Sequence, residues 1–324
     1  MNIKRLESGG IITNYNCSSS FLHCLYNSSP SRSSDYINKE TAVSNIQKIV
    51  SLGCRSIHVG GGEPFLNRRG LIGFLETARQ EGIGIEYIET NSSWCIDQES
   101  STSFLRDVKD LGVNTLLVSM SPFHNAHIPF VKVKRLLECC RKAGISVFPW
   151  VAGFMPDIER FDINKVHTFD EYEAEFGPDY LKEVLSRYWI SAGGRALSLL
   201  EKVSGKIPAE EIIGKSCGCR ELENVSHFHL DLYGNYIPGL CAGLSVRTED
   251  LGKELSFEKY PVLTLLNENG PGALARYASR EYGFTPELSY NSKCHLCRDI
   301  RRFLVAEKKS GFPELSPSEY YITD

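Results

Sequence analysis

Two cysteines, Cys17 and Cys24, sit in the stretch Asn14-Tyr-Asn-Cys-Ser-Ser-Ser-Phe21-Leu-His23-Cys24, directly after a short apolar run, Gly10 to Thr13. A thiolate is a soft, charged donor suited to iron–sulfur clusters and zinc, so paired cysteines on a polar loop leaving a strand read as a metal-binding loop. A second group lies late in the chain: Cys217, Cys219, Cys241, Cys294 and Cys297. Four of these five, with either Cys217 or Cys219 among them, would make a four-thiolate site for one iron–sulfur cubane or a structural zinc. His227 and His229 point the same way on a strand, as ligands do, although ordinary partly buried strand packing is the better account of them. Cys54, Cys139 and Cys140 read as buried thiols. Cys95 follows the third strand on the loop's side and is a reserve donor for it.

The elements around these residues alternate. Strand-like runs at Ser56–Val59, Gly84–Glu89, Thr115–Ser119 and Ile145–Val151 are separated by runs with helical apolar spacing, such as Leu71, Phe74, Leu75 and Ala78. Strand then helix, repeated, predicts parallel strands with crossover helices. Glycine or polar residues end successive strands, Gly60-Gly61-Gly62-Glu63-Pro64 being the plainest case, and barrel-like α/β proteins carry their sites at that end. A sixth strand is expected at Trp189-Ile190-Ser191, followed by Gly193-Gly194-Arg195 and a helix. Past Ile207 the texture changes: a hairpin around Tyr233-Gly234-Asn235, then Cys241, a long helix broken near Gly270, and Cys294-x-x-Cys297 ahead of a helix from Arg298 to Lys308. The last dozen residues read as a tail.

The frame of the first loop resembles that of the radical S-adenosylmethionine (SAM) enzymes, which place cysteines at i, i+4 and i+7. Cys17 and Cys24 match; Phe21 stands at i+4 and has no donor atom. The Gly61-Gly62-Glu63 turn resembles the segment whose backbone meets the amino group of SAM in that family. The late cysteines resemble the auxiliary-cluster extension of its SPASM and twitch members, a single-cluster twitch-like version fitting the number of thiols better. The resemblance implies a partial (β/α)6 barrel over 1–206 and a cysteine-rich α+β extension over 207–324. It implies a 4Fe–4S cluster in the first loop, SAM, and a second, auxiliary iron–sulfur cluster, with zinc as the alternative. Gly61, Gly62, Glu63, Asn91 and Ser119 are the implied SAM contacts. Ser121 is a further candidate, and Arg195 meets a carboxylate of SAM or substrate, or simply solvent. His23 takes the place of a ring near adenine, and His124 and His127 lie on a loop at the same end. The implied activity is radical hydrogen abstraction from a peptide or small molecule, with a flavodoxin or ferredoxin as electron donor. Phe21 leaves two irons without protein ligands, so this chain is either an impaired enzyme or a non-catalytic relative that keeps only the auxiliary metal. No particular residue is identified as catalytic.

Bulk properties narrow the classes. The chain has 324 residues, 42% apolar and 23% charged, the balance of an ordinary globular protein. A net charge of −4 gives no case for nucleic acid or an anionic membrane. The start lacks the apolar core of a secretion signal and no run is long enough to span a bilayer, so a cytoplasmic location is expected. Eleven cysteines in a reducing compartment argue for metal rather than disulfides.

Overall fold

A computed structural model describes residues 1–307 and 311–322. The fold is α/β, built on one mainly parallel sheet. Strands β1 (Gly9–Ile12), β2 (Ser56–Gly60), β3 (Gly84–Thr90), β4 (Thr115–Ser119) and β5 (Ser146–Trp150) lie side by side in chain order, all parallel. Helices α1 (Lys39–Ser51), α2 (Arg68–Gln80), α3 (Gln98–Asp110), the short α4 (Pro122–Asn125) and α5 (Phe130–Ala143) fill the crossovers. Three of these helices start where a side chain satisfies a first-turn amide: Asn38 caps α1, Asn67 caps α2 and Asp97 caps α3. Their apolar residues recur every three or four positions, and that stripe is the buried one, as with Leu71, Phe74, Leu75 and Ala78 in α2.

The sheet has a sixth parallel strand, but not at 189–191. Trp189 is largely exposed, and the chain there turns back to the cysteine loop instead of adding to β5. Two glycines permit this: a Cβ on Gly194 would stand 2.3 Å from the carbonyl oxygen of Cys24, and the Arg195 amide donates to that same carbonyl. A minor strand, β6 (Ile207–Pro208), pairs only with β10 (Ser289–Tyr290). The sixth parallel position is taken by β7 (Phe228–Asp231), which lies against the far side of β1. Strands β8 (Asn235–Ile237) and β9 (Val246–Arg247) continue the sheet antiparallel. The sheet therefore runs across residue 207, and one hydrophobic core spans both sides of it.

The acidic stretch after residue 168 forms two helices, Phe169–Phe176 and Tyr180–Arg187, because Gly177 and Pro178 interrupt it. Two local expectations change. Cys294 and Cys297 lie within the helix Lys293–Glu307, not ahead of it; Lys308 is outside the described residues. The C-terminal residues are no tail: Glu314, Leu315, Tyr320 and Tyr321 are buried. Among the described residues no helix is long and apolar enough to cross a membrane.

Candidate functional site

The loop that carries Cys17 and Cys24 is held against the glycine turn after β2 by a backbone lattice. Gly62 N–H donates to the Asn14 carbonyl (2.8 Å) and Glu63 N–H to the Asn16 carbonyl (3.0 Å). The Asn14 side chain returns two bonds, to the carbonyls of Asn16 (2.8 Å) and Glu63 (3.2 Å). This approach dictates glycine: a Cβ on Gly62 would stand 2.0 Å from the Asn16 carbonyl oxygen. Cys17, Phe21 and Ile128 form a small separate apolar cluster against which Cys24 packs. Burial pushes the Cys17 thiol up to about 12, with the Glu63 carboxylate adding to the shift.

Phe21 is buried in a cage of imidazoles. Its ring centroid lies 4.7 Å from that of His124, 5.3 Å from His127 and 5.8 Å from His23. His124 is fixed by Ser121, whose Oγ lies 2.7 Å from Nδ1. Burial depresses His124 to about 3 and holds His23 well below its ordinary value, so both rings are neutral near pH 7.

Arg195 does not face an open ligand site. Its Nε donates to the Phe21 carbonyl (2.9 Å) and its second terminal nitrogen to the Ser28 carbonyl (2.6 Å), so it staples the cysteine loop at two points. Tyr320, from the C-terminal segment, accepts from Gly194 N–H (2.7 Å) at its hydroxyl and from Asn27 Nδ2 (2.9 Å) at its carbonyl.

A cavity of about 520 Å³ opens beside this loop, lined among others by Cys17, Cys24, Gly61, Gly62, Asn91 and Ser119. Asn91 turns its amide towards Cys17 Sγ (3.4 Å) and Ser18 Oγ (3.3 Å). The Glu63 carboxylate is buried away from the lining. It accepts from the amides of Asn91 (2.7 Å) and Phe65 (3.2 Å) and from the Thr90 hydroxyl, tying β2 to β3. Burial nevertheless raises it to about 7. Cys95 is fully buried with its sulfur 4.0 Å from that of Cys139 on α5, and so serves the helix packing rather than the loop.

Tyr26, Tyr87, Glu89 and Trp150, which the sequence did not single out, line the same cavity together with His227, and His58 stacks on Tyr87 and approaches His229. The available signal was strand alternation: in β2, Ile57 and Val59 fill one face, which puts His58 on the other.

The late cysteines divide. Cys219, Cys241, Cys294 and Cys297 line a second cavity of about 470 Å³, and Cys241 lies within electrostatic reach of the other three. Cys217 is exposed and stands apart. Burial pushes the Cys219 and Cys241 thiols to about 12. The buried Arg301 guanidinium lines this cavity too. Its hydrogen bonds run to neutral groups, the carbonyls of Cys297 (3.3 Å) and Ala242 (3.0 Å) and the Tyr321 hydroxyl (3.2 Å).

No protein-family model and no curated protein matches the sequence. Among solved structures, native anSMEcpe with bound AdoMet is similar over 92% of this chain and 97% of its own, at 15% identity and a TM-score of 0.46. The radical SAM enzyme coproporphyrinogen III oxidase (HemN) from Escherichia coli is similar over 94% of this chain and 75% of its own, at 13% identity and a TM-score of 0.37. SuiB from Streptococcus suis is similar over 74% of this chain and 61% of its own, at 12% identity and a TM-score of 0.34.

Proposed function

We propose that the chain is a radical SAM-type protein, with a SAM-binding mouth beside the cysteine loop and an auxiliary metal site of four thiolates, in which Phe21 impairs the cluster that the chemistry requires. One observation carries the reading: Cys17, Cys24, the Gly61-Gly62 turn and Asn91 all line one cavity. In that arrangement Gly61 and Gly62 offer backbone unobstructed by side chains, and Asn91 and Ser119 offer polar atoms to the amino acid or ribose part of the ligand.

The residues present do not fit the catalytic cluster. A cubane with one open iron takes three thiolates; the loop supplies two, and a buried phenyl ring packs between them and three imidazoles. No step of the reaction is therefore assigned to this chain as it stands. The four later cysteines do fit a metal. A buried cation is costly without a counter-charge, and among the described residues the hydrogen-bonding partners of Arg301 are neutral; a four-thiolate iron–sulfur or zinc centre beside it supplies net negative charge. Cys219 rather than Cys217 would complete that set. The substrate would be a peptide or small molecule entering the first cavity, with a flavodoxin or ferredoxin as reductant for a repaired enzyme.

A non-catalytic relative is the second reading, and the close packing of Phe21 against His124 and His127 favours it over a casual lesion. Anaerobic purification with iron, sulfide and zinc counts decides. About four irons per chain, lost on Cys297→Ser, is the expected result, and Phe21→Cys is expected to raise the count to about eight. Formation of 5′-deoxyadenosine by Phe21→Cys alone would make the chain a disabled enzyme. Iron unchanged by the restored cysteine would overturn the cluster site, and zinc without iron would leave a zinc-stabilised binding protein.

A further inference from the structure

Three imidazoles meet on the cavity side of the sheet, and the strand between them is shaped to let them. In the strand order β2–β1–β7, Gly10 of β1 pairs in register with His58 on one side and His229 on the other. A Cβ on Gly10 would stand 2.5 Å from His58 Nε2. Without it, the two rings reach across a whole strand until their Nε2 atoms are 2.8 Å apart. His227 closes the group, its ring centroid 5.2 Å from that of His58 and 5.0 Å from that of His229. One nitrogen from each of the three lies within 4.8 Å of the others.

The rings are held in place: Tyr26 Oη is 2.8 Å from His229 Nδ1, and the His58 ring stacks on that of Tyr87 with centroids 5.0 Å apart. Such partners fix ring orientation and leave the opposite nitrogen free to bind a metal. The Glu89 carboxylate stands 3.9 Å from His58 Nε2, and both Glu89 and His227 line the 520 Å³ cavity.

We propose that His58, His227 and His229 form a binding site for one divalent transition-metal ion of the zinc class, with the remaining coordination position turned to the cavity and Glu89. Three imidazoles with an open position suit zinc, cobalt or ferrous iron and leave room for water or a substrate oxygen. Nitrogens about 2.0–2.1 Å from a metal lie about 3.4 Å apart in a tetrahedron, so the 2.8 Å pair opens slightly on binding. The site depends on neither cysteine group and does not rest on the reading of Phe21.

The test uses the full chain, stripped of adventitious metal and titrated with Co2+. Imidazole-bound Co2+ is expected to give visible d–d bands without the near-ultraviolet thiolate charge transfer that the cysteines would produce, together with paramagnetically shifted, exchangeable imidazole N–H resonances. His227→Gln, at a partly exposed position, is expected to weaken that binding at least about a hundredfold, since even loss of an outer-shell partner costs 10–100-fold. Its iron content is expected to be unchanged. Cobalt bound only through thiolates, or bound equally well by folded His227→Gln, overturns the site. If the variant fails to fold, the wild-type resonances decide alone: three shifted imidazole N–H signals support the site, and none overturns it.

Discussion

Phe21 and Arg195 show how much depends on one side chain. An aromatic ring at position 21 gives the loop a small core of its own with Cys17 and Ile128, so the loop is ordered by packing where a metal would otherwise order it. Arg195 then supplies two charge-assisted bonds to backbone carbonyls. Arg195→Ala should lower stability by about 2–3 kcal/mol, because both carbonyls lose a charged donor, and should speed hydrogen exchange in residues 21–28. Arg195→Lys should recover little, since an ammonium lacks the planar fork that reaches two acceptors. Urea unfolding and amide exchange measure both; exchange in the loop unaltered by Arg195→Ala would refute the staple.

At the scale of elements, the helix Pro261–Tyr282 is coupled to the C-terminal segment through one carboxyl group. Glu314 is fully buried. Its Oε1 accepts from the Val262 amide at the helix start (2.8 Å), while Oε2 has no hydrogen-bond partner among the described residues. Burial raises its pKa from 4.5 to about 7, outweighing the helix amides that favour ionisation. A carboxyl whose folded pKa is raised holds its proton longer in the native state. Its contribution is complete below about pH 4.5 and is lost as pH rises through about 7, by up to roughly 3 kcal/mol. Glu63 and Glu89, also raised to about 7, slope the same way. Glu314→Gln should flatten the fall in melting temperature between pH 5 and 7; a slope equal to wild type would show that Glu314 is ionised throughout.

Across the whole molecule, the C-terminal segment braces both cysteine groups. Tyr320 bonds to Gly194 and Asn27, while Tyr321 meets Arg301 beside the four cysteines (3.2 Å). Deleting residues 312–324 removes several large buried side chains, each worth about 1.5–3 kcal/mol, and should lower the melting temperature by roughly 10 °C. It should also reduce metal retention at the late cysteines and expose Cys24 to alkylation. A truncated chain with wild-type metal content and Cys24 reactivity would mean that the segment is only a cover.

The five parallel strands and the helices between them were legible in the sequence because their signals are local: an apolar period throughout, a capping Asn or Asp before α1, α2 and α3, and a glycine turn after β2. The gathering of Cys17 and Cys24 was legible for the same reason, as was the hairpin of β7 and β8. Tertiary structure alone decided three things. It set the sixth parallel strand at Phe228–Asp231 rather than 189–191, because Gly194 and Arg195 bind the cysteine loop. It separated Cys219 from Cys217, two residues apart with opposite surroundings. It also brought His58 to His229, 171 positions away, because only the pairing of β2 and β7 around Gly10 places those rings at one register. Contacts of that kind follow from strand order, and strand order is fixed by the packing of the whole chain rather than by any segment of it.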